Sequence, residues 1–174
     1  MNNSISKFVA RCVRVFIAVC TVLSFMSCNS DSHGGTNSAA TDAENAKKIV
    51  RSFFEKGYVN HDYDYVMNCV SVDYVDHSPA SARSNADAVG ILKIVADQFS
   101  NLKITILDIF AEDDMVATRI RFEGTQSGTC QGIPATGKKI SFEALENFRV
   151  RDGKIVESWG YWPDDEIRRQ LTAM

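Results

Sequence analysis

Two carboxylates beside a run of aromatic rings are the first chemically suggestive feature of this chain. Asp164 and Asp165 follow Trp159, Tyr161 and Trp162 within six residues. A carboxylate pressed against aromatic rings loses water, and its proton affinity rises toward the range useful for acid/base work near neutrality. Asp164 is therefore a candidate catalytic residue, with Asp165 the competing position. Acids directly after Pro163 also suit the start of a helix, where the dipole favours them, and the two roles are compatible. His77 is the second catalytic candidate. A neutral imidazole can donate or accept near pH 7; its other reading is a histidine that holds the Ser78-Pro79 turn. Asp76 precedes it, and strand neighbours point to opposite faces, so the two make a poor dyad. Arg119 would either bind an enolate or carboxylate in a pocket or face outward with Arg121, which shares its parity. Trp159, Trp162 and Phe148 offer either apolar walls for a ligand or simple core filling.

The cysteines do not suggest a metal. No Cys-x-x-Cys or Cys/His cluster is present, and no metal site is expected. Cys69 and Cys130 either pair in an oxidising compartment or stay as two separate thiols. His33 stands alone in a polar stretch and reads as solvated.

The elements that must position these residues fall into two halves. Thr41-Asp42-Ala43-Glu44 resembles a helix cap with an acid three residues on. Ala46, Ile49, Val50, Phe53 and Phe54 then recur at helical spacing, with Gly57 as the expected stop. A short helix is expected from Asn60-His61-Asp62, a strand over 72–77, and a third helix over 84–99. The period then changes from 3.6 to 2. Strands are expected over 102–106, 115–123, 139–149 and 155–161, with Asp152-Gly153 as a tight hairpin. Helices first and an antiparallel half afterwards argue for an α+β fold. A curved antiparallel sheet wrapped by N-terminal helices would enclose a concave site for a small hydrophobic ligand.

The chain ahead of these elements reads as targeting sequence. Lys7, Arg11 and Arg14 precede an uncharged, mostly apolar run over 15–27, shorter than the roughly 18 residues wanted for a membrane span and typical of a signal peptide. Phe25-Met26-Ser27-Cys28 resembles the bacterial lipobox, which implies cleavage before Cys28 and its lipidation. Residues 28–40 are small and polar and are expected to be a flexible tether. The expected organisation is a lipoprotein signal peptide over 1–27, the tether over 28–40 and one domain over 41–174. The expected location is the cell envelope, on the periplasmic or outer-membrane side, with the membrane reached through the N-terminal lipid. Removing the three leader cations from the chain's 19 leaves 16 against 22 acids, a net charge of −6. With no basic block, nucleic acid is a poor partner. The 45% apolar and 24% charged content is that of an ordinary globular domain.

Four stretches resemble one family in order and spacing. Asp76-His77-Ser78-Pro79 is similar to its H-x-P turn. Gly124-Thr125-Gln126-Ser127-Gly128 is similar to G-T-H-x-G, with Gln126 in place of the histidine. Gly132-Ile133-Pro134-Ala135-Thr136-Gly137-Lys138 is similar to G-I-P-x-T-G-[KR]. Phe148-Arg149-Val150 leads through 152–159 to Gln170-Leu171, similar to the family's ending. The family is the SnoaL-like polyketide (ester) cyclases of the nuclear-transport-factor-like superfamily. The resemblance implies a cone-shaped, cystatin-like α+β barrel with a deep apolar pocket, usually a homodimer, working without metal or cofactor. It also implies that an aspartate near the last helix is the acid/base of an aldol closure, here matched by Asp164 or Asp165. Gly160 departs from relatives that carry a polar residue after the tryptophan. Two functions remain open: a cofactor-free cyclase or isomerase acting on a hydrophobic carbonyl or ester compound, and a lipid-anchored binding or scaffold module. An Asp164 enclosed in the pocket would favour the enzyme; an Asp164 facing solvent would favour the module.

Overall fold

The computed structural model describes residues 35–173. The expected signal peptide, Cys28 and the first part of the expected tether lie outside the described residues. The elements are α1 (Gly35–Ser52), a π-helical turn (Phe53–Val59), α2 (Tyr63–Cys69), β1 (Val70–Asp76), α3 (Asn85–Gln98), β2 (Phe99–Glu112), β3 (Met115–Gln126), β4 (Lys139–Arg151), β5 (Lys154–Tyr161) and α4 (Asp164–Thr172). The fold is α+β: N-terminal helices against a curved five-stranded sheet of order β1-β5-β4-β3-β2.

Three details differ from the expectation. The sheet is mixed rather than antiparallel, because β1 pairs parallel with β5, Asp76 opposite Ser158. The long run between β1 and β5 in sequence is what allows a parallel pair, which no hairpin can close. Helix α1 begins at Gly35, so residues 35–40, expected in the tether, are helical and Thr41 lies inside the helix rather than capping it. Gly57 does not stop that helix. A Cβ at Gly57 would lie 2.9 Å from both Leu92 and Val66 side chains, so the glycine lets the π-turn, α2 and α3 close on one another.

The helices that follow start where their caps dictate. Asp62 caps α2 by accepting from the Tyr65 N–H at 2.9 Å, and Ser84 caps α3 by accepting from the Asp87 N–H at 3.1 Å. The π-turn widens the backbone so that Phe53, Phe54, Gly57 and Tyr58 all face the core. Phe53 and Phe54 meet Phe148 edge-on at 5.7 and 5.6 Å. Burying one such ring contributes about 1.5–3 kcal/mol.

Strand periodicity sets the rest. Val116, Thr118, Ile120 and Phe122 of β3 face inward, as do Ile140, Phe142, Ala144, Glu146, Phe148 and Val150 of β4. Asp152 and Gly153 join β4 to β5 with φ of 50° and 74°, the left-handed pair that a two-residue hairpin requires. The inward row of β4 thus contains one acid among apolar residues, and that acid is central to the site.

Candidate active site

Inside the concave face lies a cavity of about 540 Å³. Its helical wall is apolar: Phe53 and Tyr58 from the π-turn, and Ala88, Ile91, Leu92 and Val95 from α3. Its sheet wall carries Tyr74 and Asp76 of β1, Ser158 and Gly160 of β5, and Phe142 and Glu146 of β4. His77, Cys130, Gln131, Trp162 and Asp164 also line it. No lysine or arginine is among the lining residues.

The polar wall is a built cluster. Asp76 is 6% exposed, and its Oδ1 accepts from the Ser78 N–H at 2.8 Å while Oδ2 accepts from the Ser78 hydroxyl at 2.7 Å. The Ser158 hydroxyl also donates to Asp76 Oδ1 at 3.3 Å, which leaves Tyr74 to donate to Ser158. The register explains the meeting: Asp76 on β1 lies opposite Ser158 on β5.

Glu146 is the exception in this well-bonded wall. It is 6% exposed, and its Oε2 is buried with no hydrogen-bond partner. Its backbone is fixed, since its carbonyl accepts from the Thr118 hydroxyl at 2.6 Å. Burial first, and the Asp76 charge second, push the Glu146 carboxyl from the ordinary 4.5 up to about 8. The Tyr58 phenol is pushed well above its usual value by burial, then by Glu146, Tyr74 and Asp76. Together they form one group of acids and hydroxyls in an apolar pocket.

The residues expected from the sequence are distributed differently. Asp164 lines the cavity but is exposed, and its carboxylate accepts from the Gln131 amide at 3.2 Å. By the criterion above, that outcome favours the binding module if Asp164 is the only acid considered. Asp165 is exposed as well. His77 does not pair with Asp76, as the strand alternation required. Its ring stacks on Trp159 at 4.7 Å and its Nε2 meets Glu157 Oε2 at 2.8 Å. Trp159 is absent from the cavity lining and carries the Arg149 guanidinium over its ring, 5.4 Å from the centroid. Arg119 lies on the outer face, paired with Asp108 at 2.7 Å and Glu143 at 2.8 Å, so it faces away from the ligand space. Phe148 is fully buried core packing. Of the four expected ligand contacts, Trp162 alone reaches the cavity.

Gln126 also has a clear role. It is fully buried, its amide donates to the carbonyls of Gly128, Ile133 and Pro134 at 3.1, 3.0 and 3.2 Å, and its oxygen accepts from Thr136. The side chain thus ties down the loop over 127–137 rather than facing a ligand. Cys69 and Cys130 are separate free thiols. Burial pushes the Cys69 thiol up to about 11 and raises that of Cys130, so both are poor nucleophiles. Among the described residues, no group of three or more His, Cys, Asp or Glu side chains is placed to hold a metal ion.

Comparison with known proteins places this geometry. The family model for SnoaL-like polyketide cyclases matches residues 48–171. The chain belongs to that family. Among solved structures, it is similar to TsrD from Streptomyces laurentii, at 25% identity and TM-score 0.69, covering 75% of this chain and 97% of that one. It is similar to IdmH from Streptomyces antibioticus, proposed to be a polyketide cyclase, at 27% identity and TM-score 0.65, covering 72% and 97%. A Mycobacterium tuberculosis protein described as an LEH-like epoxide hydrolase shares the fold at 18% identity and TM-score 0.60, covering 75% and 91%. No protein with a curated description matches significantly.

Proposed function

We propose that this SnoaL-like protein is a cofactor-independent, cyclase- or isomerase-type enzyme acting on a small hydrophobic carbonyl or ester compound, with Glu146 as the acid/base. The single observation that carries the reading is the unpartnered, buried carboxyl of Glu146 inside the cavity. An acid whose proton affinity sits near ambient pH can both take and return a proton. In the proposed reaction, ionised Glu146 removes a C–H proton beside a carbonyl. The resulting enolate carbon attacks a second carbonyl carbon of the same molecule. The alkoxide so formed takes the proton back from Glu146, leaving no net change in charge or oxidation state. Asp76 keeps the Glu146 proton affinity high through its charge and stays fixed by Ser78 and Ser158.

This reading moves the acid/base role from Asp164 and His77 to Glu146. Glu146→Gln is expected to abolish turnover while leaving ligand affinity within a few-fold, the mark of a lost transition-state interaction. The limb of the rate profile near pH 8 should vanish with it. Unchanged turnover in that variant would take the acid/base role away from Glu146, whereas ligand binding with no turnover in the parent protein would leave the second reading, a non-catalytic ligand-binding or scaffold module, which the exposure of Asp164 favours. Mass spectrometry of molecules that co-purify with the native protein would name the ligand in either case.

The setting is proposed on sequence and surface features. The protein is anchored in the cell envelope through lipid on Cys28, which intact-mass analysis of membrane fractions would detect. It works as a homodimer through the outer face of its sheet, where Leu145 and Tyr161 are 51% and 61% exposed and sit opposite each other on β4 and β5.

A further inference from the structure

Proton removal beside a carbonyl leaves charge on an oxygen, and that oxygen needs a donor. This inference rests on the proposed acid/base role of Glu146 and asks what stands across from it. Most polar groups of the cavity are already committed: Tyr74 to Ser158, Ser158 to Asp76, Asp76 to Ser78, and the Gln131 amide to Asp164. Among the described residues, the Tyr58 phenol on the helical wall and Trp162 are donors left without a partner, and of these Trp162 stands beside the sheet position that carries Glu146. Its indole N–H has no acceptor among the described residues, and its ring lines the cavity.

The placement of that N–H follows from a glycine. Gly160 on β5 is the direct cross-strand partner of Glu146 on β4. A Cβ built on Gly160 would lie 3.3 Å from Trp162 Nε1 and 3.4 Å from its Cδ1. The nitrogen edge of the indole therefore occupies the space a side chain at position 160 would fill. Directly opposed strand positions have Cβ atoms about 4.5–5.5 Å apart. The indole N–H and the Glu146 carboxyl thus rise side by side from neighbouring positions of one wall. Phe122 and Phe142 hold the ring from behind, each with its centroid 5.4 Å away, so its direction is set before any ligand arrives.

The geometry points to Trp162 as a catalytic residue: its indole N–H donates to the ligand's carbonyl oxygen while Glu146 works on the adjacent carbon, and Gly160 is the residue that makes room for it. The proton stays on the indole nitrogen throughout. The oxygen gains negative charge as the C–H bond breaks, so the hydrogen bond strengthens in the transition state. The departure at Gly160 is then part of the site rather than a loss from it.

The test uses the full chain and ethyl benzoylacetate, an uncharged ester with an acidic carbon between two carbonyls. The chain has two tryptophans, so it shows two indole N–H resonances, and Trp159→Phe assigns them by elimination. On titration of the probe to its solubility limit, the Trp162 resonance should move downfield and saturate while that of Trp159 stays. In deuterium exchange at the probe's central carbon, Trp162→Phe should lower kcat roughly 100-fold with KM changed only a few-fold. Gly160→Val, which crowds the indole edge, should lower kcat in the same direction. A stationary Trp162 resonance throughout the titration, or wild-type kcat in Trp162→Phe, overturns the inference. Glu146→Gln separates the two readings: if it still exchanges the probe while the Trp162 resonance shifts, the acid/base assignment fails and the donor stands.

Discussion

Replacing Glu146 by glutamine should make the protein more stable, and the gain should grow with pH. The carboxyl titrates at about 8 when folded against an ordinary 4.5. A raised folded value means that the native state holds a proton the unfolded chain has already released. Stability from that proton is fully present below about pH 4.5, declines between 4.5 and 8, and is gone above 8. Each pKa unit corresponds to about 1.36 kcal/mol, so the whole span is on the order of 5 kcal/mol. At pH 6 the wild-type chain should have lost roughly 2 kcal/mol on this account, and at pH 7 roughly 3 kcal/mol. Glutamine keeps the shape of protonated glutamate but cannot ionise. Urea unfolding of both proteins, followed by far-ultraviolet circular dichroism from pH 4 to 9, reads the difference directly. The two curves should nearly coincide at pH 4 and separate progressively up to pH 8, with the variant above. A separation that does not change with pH would refute the reasoning, because it would mean that Glu146 ionises in the native state as freely as in water. A variant less stable at every pH would show that the carboxyl has a partner the cavity does not reveal.

Three further outcomes follow from the same geometry. Asp164→Asn should keep turnover and change stability by no more than about 0.3–1 kcal/mol, the usual worth of an acid at a helix start, measured by denaturant midpoint; loss of turnover would return the acid/base role to the mouth of the cavity. Gln126→Ala should lower stability by roughly 2–4 kcal/mol, since three carbonyls and the Thr136 donors lose a buried partner, and limited proteolysis should then cut within 127–137. Leu145→Glu, on the exposed outer face, should convert a dimer to a monomer in light scattering while the thermal transition of the fold persists; a monomeric parent protein would remove the basis for that face as an interface.

Much of the architecture is written in local periodicity. The alternation through Val116, Thr118, Ile120 and Phe122 specifies one apolar face of β3, and Asp152-Gly153 requires a hairpin, because each depends on neighbours in sequence. The parity rule also separated Asp76 from His77 correctly, with Asp76 inside and the His77 ring on Glu157 and Trp159. The same rule carries a further signal. Ile140, Phe142, Ala144, Phe148 and Val150 share a parity, and Glu146 is the one acid in that row. An acid on a buried face has no stabilising reason to be there, so its position alone marks it.

Tertiary structure decided what periodicity could not reach. The parallel pairing of β1 with β5 brings Asp76 to Ser158 across more than 80 residues of chain. That pairing sets Asp76 near Glu146, where its charge adds to burial, the larger cause, in raising the carboxyl to about 8. The placement of Asp164 at the exposed mouth and of Arg119 on an ion-paired outer surface likewise depended on how the helices and strands closed, not on residue type. The sequence by itself determined the family, the order of elements and which face of each strand is apolar, because those are properties of spacing and motif. Only the folded chain decided which acid loses its water, because desolvation is set by everything packed around a group and not by its neighbours along the chain.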